Sequence, residues 1–225
     1  MGNAIGQILA FAVGIAISPI PIIGVILMLA TPRARSNGPA FLLGWVGGLA
    51  AAGTAVLLIS GGAGADTSGS TGWANVLKLI LGIALLVLAA RQWRSRPPRD
   101  GDGAEMPGWM DSVDHFTAGR SAALGVALAA INPKNLILVV GGAAAIAQTG
   151  ASAGSQAVAL IVFVGIATIG TATPVILYFA LGERSKHILD DLKERMGRNN
   201  AAIMAVLCLI IGAKLIGDAI SAFSA

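Results

Sequence analysis

Asn132-Pro133-Lys134-Asn135 sets a cation, two amides and a proline in the middle of an apolar run, Ser121–Gln148. As helix, that run leaves Lys134 about 20 Å from either boundary, too deep for its stem to carry the ammonium easily to water. The charge needs a partner, an aqueous cavity or an anion. Earlier in the chain, Ser18-Pro19-Ile20-Pro21 stands near the middle of a second apolar run, Ile5–Ala30. Proline inside a helix removes a hydrogen bond and clashes with the preceding turn, so each run should open into two half-helices with freed backbone groups. Ser18, Asn132 and Asn135 are placed to meet those groups, and half-helix N-termini present N–H donors that favour an anion. Ser18, Pro19, Pro21, Asn132, Pro133, Lys134 and Asn135 are therefore candidate substrate-binding residues. The plainer readings are packing kinks whose polar residues cap broken turns, and a lysine hydrogen-bonded to broken-helix carbonyls.

The other ionisable groups within apolar runs are Lys78, Lys214 and Asp218. Lys78 lies close to a segment end and can snorkel to the interface. Lys214 and Asp218 are four apart on one helical face, so they can form a structural ion pair or join the binding site. If they pair, Lys134 has no acid of its own, because every other carboxylate lies in a loop. A pump for cations would need midplane carboxylates, so the centre is read as basic. His115 and His187 lie in loops without ligand-spaced companions, and Cys208 is the single cysteine, so no metal site and no redox pair are expected. No Ser/His/Asp set, Walker loop or dinucleotide fingerprint appears, which points away from an enzyme and from any cofactor.

The elements that must position these residues follow from composition. Of 225 residues, 56% are hydrophobic and 12% charged, too little polar surface for a soluble globule of this size. Six apolar segments emerge: Ile5–Ala30, Pro39–Ser60, Trp73–Ala90, Ser121–Gln148, Gln156–Leu181 and Ala201–Phe223. In hydrocarbon each must be helix. No Lys or Arg precedes the first, which lacks the basic flank of a cleavable signal and reads as a permanent helix. Twelve of the 15 basic residues fall in the first, third and fifth loops, so the positive-inside rule puts both termini outside a bacterial plasma membrane. The net charge of +4 is then an orientation signal and not a nucleic-acid surface. Residues 91–120 read as a flexible cytoplasmic linker, with Trp109, Met110 and Phe116 resting at the interface. In the last basic loop Ile188, Leu189, Leu192 and Met196 form one stripe, as in a surface-lying amphipathic helix.

The two proline motifs correspond in position. Phe41–Gly47 is similar to Ala159–Gly165, and Leu77–Gly82 to Leu207–Gly212, in the same order. A duplicated unit with an odd number of crossings enters the membrane from opposite sides, an inverted repeat of the kind that builds secondary transporters. The expected fold is an all-α integral membrane protein of six transmembrane helices. Residues 1–90 form one three-helix repeat and 121–225 the other, with helices one and four broken. Gly44/Gly48, Gly47/Ala51, Gly141/Ala145 and Gly170/Pro174 set small or bending residues one turn apart, for close helix approach. Such faces leave a homodimer open.

The stretches SPIPIIGVILMLATPRARSNGPAFLLGWVGG and WMDSVDHFTAGRSAALGVALAAINPKNLILV, with the six-segment hydropathy, resemble the actinobacterial sulfolipid-1- and glycopeptidolipid-addressing proteins, the Sap/Gap family of the LysE exporter superfamily. The resemblance covers essentially the whole chain and is most specific at the NPKN block. It implies a three-plus-three helix plan and export of an anionic cell-envelope lipid or glycolipid across the inner membrane, alongside a larger lipid exporter. It carries over onto Ser18, Pro19 and Pro21 in the first motif and Asn132, Pro133, Lys134 and Asn135 in the second. The chain departs from relatives that use a membrane cysteine pair or intramembrane acids. Two other readings stand beside this one: a LysE-type exporter of amino acids or organic anions, and a non-transporting scaffold for glycolipid export machinery.

Overall fold

The computed structural model describes residues 2–62, 70–95 and 115–223. Arg96, Arg99, Trp109, Met110 and most of the expected linker lie outside them. Within the described residues the chain is helical: α1 (Gly2–Ala16), α2 (Pro19–Ala30), α3 (Ala34–Gly62), α4 (Ser70–Arg94), α5 (Ala118–Ala130), α6 (Pro133–Ala147), α7 (Ala153–Leu181) and α8 (Ser185–Phe223), with a 3-10 turn at Gly182–Arg184 between the last two. No strand occurs among the described residues.

Both expected breaks are present. The segment Ile8–Ala16 meets Pro19–Ala30 at a 43° bend, and α5 meets α6 at 63°. Pro19 and Pro133 each occupy the first turn of the second half-helix, where a missing N–H costs nothing. By length and apolarity three helical stretches can cross a bilayer, or five if each bent pair is one span. The third stretch, Ala153–Phe223, contains both of the last two expected segments. Its two arms run in opposite directions. Gly170 of α7 abuts Ala16 and Tyr178 lies beyond, at the far end of α2, whereas along α8 Leu189 sits at that far end and Ile211 reaches back to Gly14. Gly182, at φ +55°, makes the reversal, a conformation open to glycine without steric cost. The amphipathic 185–198 segment is no separate surface helix. It continues into the last apolar segment as one 39-residue helix that runs through Gly197, because no proline intervenes and i,i+4 pairs such as Arg195–Asp191 and Arg198–Glu194 support it.

The two halves interlock. Helix α3 packs on α5 and α6, α7 packs on α1 and α2, and α4 packs lengthwise on α8. Where α3 crosses α5, Gly44 faces the Ala122 carbonyl and Gly125 faces the Phe41 carbonyl, and Gly170 of α7 faces the Ala16 carbonyl of α1. A Cβ on Gly47 would meet no atom within 4 Å, so of the paired small residues it is not a contact. Trp45, Phe41 and Phe163 fill the interior at full burial. On the α4–α8 face, a Cβ on Gly82 would lie 3.0 Å from the Gly212 carbonyl, and one on Gly212 would lie 3.0 Å from the Gly82 carbonyl. These glycines end the two similar sequence stretches, and each also faces the side chain four residues beyond the other, Ile216 and Leu86.

Candidate functional site

At the first break, Pro19 cannot donate and Ser18 N turns back to Ile15 O at 3.0 Å. The Gly14 carbonyl, which a continuous helix would pair with Ser18 N, is released. The second break repeats this: Asn132 N bonds Ala127 O at 3.1 Å, releasing the Leu128 carbonyl. Gly14 and Leu128 each stand five residues before their proline. Side chains from the first turn of α6 take up both. Lys134 Nζ donates to Gly14 O at 2.8 Å and to Ser18 Oγ at 2.5 Å, while Asn135 Nδ2 donates to Leu128 O at 2.9 Å. Ser18 Oγ donates onward to Asn135 Oδ1 at 2.8 Å, joining the two breaks, and Asn132 Oδ1 caps α6 by accepting from Lys134 N at 3.1 Å.

This cluster is closed off. Ser18, Lys134 and Asn135 are 2%, 3% and 0% exposed. Both acceptors of the Lys134 ammonium are neutral, and the third of its hydrogens has no acceptor among the described residues. A buried cation held by neutral groups retains a large part of its desolvation cost. The hydrogen-bonded lysine that sequence offered as the plain reading is therefore the arrangement present, with the charge left uncompensated. Pro21 lies buried in the first turn of α2.

Lys214 and Asp218 are not part of it. They pair with each other at 2.7 Å on the outward side of α8, with side chains 43% and 29% exposed. Since a lone charge within hydrocarbon is costly while Lys stems can partly snorkel, Asp218→Asn should lower thermal stability in detergent by about 1–2 kcal/mol. The double change Lys214→Met, Asp218→Leu should be close to neutral. A double variant as unstable as the single one would refute the assignment of Lys214 and Asp218 to a local ion pair. Lys78 is half-buried and borders a crevice with Phe11, Gln148 and Leu215.

Two features had no sequence signal. Asn37, fully buried in the first turn of α3, donates to Thr31 Oγ1 at 3.1 Å and to Phe116 O at 3.0 Å, clipping the first half to the chain entering α5. Phe116 thus packs against the bundle and does not merely rest at an interface. Beside the first break lies a trough of about 530 Å³, bordered by Ile17, Ile203, Val206 and Leu207 with Arg195 and Asn199 at its rim. Ile17 immediately precedes Ser18 of the cluster, so the trough adjoins the first break.

A family model described as Sap, sulfolipid-1-addressing protein, matches residues 8–221 of the chain. No curated protein and no solved structure matches it.

Proposed function

Since this chain belongs to the Sap, sulfolipid-1-addressing protein family, a family tied to lipid export, we propose that it is itself the mover: a flippase-like secondary transporter that carries an anionic cell-envelope lipid or glycolipid outward across the plasma membrane. The observation that carries this reading is Lys134, a buried ammonium whose partners are all neutral, at the meeting point of two broken helices. A sulfate or phosphate headgroup supplies the missing charge, and the α2 and α6 N-termini add N–H donors. In the closed arrangement Gly14 O and Ser18 occupy the ammonium. Opening transfers it to the substrate, and release returns it to the helix ends.

Six crossings in two inverted repeats provide the rocking units. Reciprocal contact of Gly82 with Gly212 supports a pseudo-twofold axis between α4 and α8, as does the exchange-related packing of α3 on α5 and α7 on α1. Arginines of the first and third loops and the basic residues of the fifth favour a cytoplasmic location for those loops, with both termini outside. The apolar trough beside Ile17 offers acyl chains a place to remain in lipid while the headgroup moves.

Reconstituted into liposomes, the protein is expected to translocate a fluorescent sulfated or phosphorylated glycolipid, and to move a zwitterionic analogue at least about tenfold more slowly, the ratio expected for one unpaired buried charge. Absence of movement, or equal rates for the two lipids, would defeat the reading and return the chain to an accessory role.

A further inference from the structure

A second trough, of about 400 Å³, runs between α4 and α8 on the outer surface of the bundle. Its walls are almost wholly apolar, with Leu86 and Ala90 on α4 and Val206 and Leu209 on α8, and it ends at Trp93 and Arg94. The charge at that end differs from that along α8. Lys186, Lys193, Arg195, Arg198 and Lys214 each pair with an acid three or four residues away. Arg91 and Arg94, both exposed in the last turn of α4, pair with no acid among the described residues. The helix C-terminus favours cations there, which accounts for the arginines and not for the apolar channel leading up to them.

Depth selects the occupant. Inverted repeats place their axis in the plane of the membrane, so the Gly82–Gly212 contact marks the midplane. This depth scale is the only element taken from the proposed transport reading. Leu86 is then about 6 Å from the midplane and Arg94, twelve residues past Gly82, about 18 Å from it along the helix. The hydrocarbon half-thickness is about 15 Å. The trough therefore begins in hydrocarbon and ends at headgroup level, where a half-exposed Trp93 suits the interfacial belt. A soluble anion would have no use for the apolar walls, and a zwitterionic lipid would leave the arginine charge uncompensated.

We propose that the α4–α8 trough is a binding site for an anionic glycerolipid, with one acyl chain between Leu86 and Leu209 and the phosphate on Arg94, assisted by Arg91. The site is lined by none of the residues of the Lys134 cluster and needs no transport to be occupied. Native mass spectrometry of the full chain in detergent, titrated with phosphatidylglycerol or phosphatidylcholine, reads it directly. Wild-type protein should retain phosphatidylglycerol in preference to phosphatidylcholine. Each of Arg91→Gln and Arg94→Gln should reduce that preference by about fivefold, as expected for one basic residue at an anionic surface. Ala90→Phe, which fills the trough from its exposed side, should reduce retention of both lipids, with a monodisperse gel-filtration peak as the folding control. Retention is read without any movement of lipid, so a lost preference in Arg94→Gln and a lost translocation in liposomes are scored by separate assays, which keeps this site distinguishable from the transport reading. Equal retention of the two lipids by wild type, or undiminished preference in Arg94→Gln, overturns the proposal.

Discussion

Lys134→Met is expected to reduce lipid translocation in liposomes by about 30-fold or more while the protein remains folded. The size follows from the truncation cost of one member of a buried, hydrogen-bonded charge pair, about 2–5 kcal/mol, which the variant would lose with the substrate headgroup. Stability should respond far less, because two effects oppose each other. Methionine removes an ammonium that is 3% exposed and has only neutral partners, relieving desolvation. It also orphans the Gly14 carbonyl, at a cost of about 1–3 kcal/mol. A net change within about 2 kcal/mol in the thermal melt is anticipated. Ser18→Ala should fall between: it breaks the link to Asn135 Oδ1 but leaves the ammonium present for an anion. If Lys134→Met kept more than half of wild-type translocation, the lysine would be a helix cap alone.

Gly44→Ala and Gly170→Ala should each destabilise the bundle by about 3 kcal/mol or more, or prevent its assembly. In both cases the added methyl falls on a backbone carbonyl of a crossing helix, Ala122 for Gly44 and Ala16 for Gly170. A flexible side chain could rotate aside, but a helix backbone moves only as a whole, so α3 must lift from α5 or α7 from α1. Gly47→Ala, one turn away from Gly44 on an open face, is the control, and should be neutral or stabilising by about 1 kcal/mol through helix propensity. Thermal melts in detergent compare the three directly. Equal melting of Gly44→Ala and Gly47→Ala would show that α3 and α5 do not approach as closely as described. Gly170 carries an additional consequence, because Ala16 ends α1 just before the break: displacing it should also loosen the Lys134–Gly14 contact and lower translocation.

Much of this is legible in the residues alone. Pro19 and Pro133 announce the breaks together with the Ser18 and Asn132 N-cap residues that precede them, whereas Pro174, preceded by no such break, lies within the continuous α7. The similar stretches ending at Gly82 and Gly212 single out two glycines that meet where α4 packs on α8. Lys134 stands out because apolar runs seldom contain a cation. Less is legible where partners are backbone groups or where contact depends on helix rotation. The carbonyls of Gly14 and Leu128 are acceptors only because of how each break redirects its N–H groups, and a carbonyl has no letter in the sequence. Gly44 and Gly47 look alike as small residues, yet only the first faces another helix. The 185–198 stripe reads as a surface helix because periodicity describes a face and is silent on whether the helix runs on past it.

By itself, then, the sequence determined that the chain is helical and membrane-embedded, where its spans break, and that one cation among the apolar residues lacks a nearby acid. Those properties depend on hydrogen-bonding capacity, hydration cost and local spacing, all of which act within a single segment. Tertiary structure decided which groups answer them. Lys134 and Gly14 are 120 residues apart, and only the packing of α6 against α1 brings an ammonium to that carbonyl. It likewise placed the Lys214–Asp218 pair on the outward side of α8, because the choice between a local ion pair and a central site rests on which way a helix is turned.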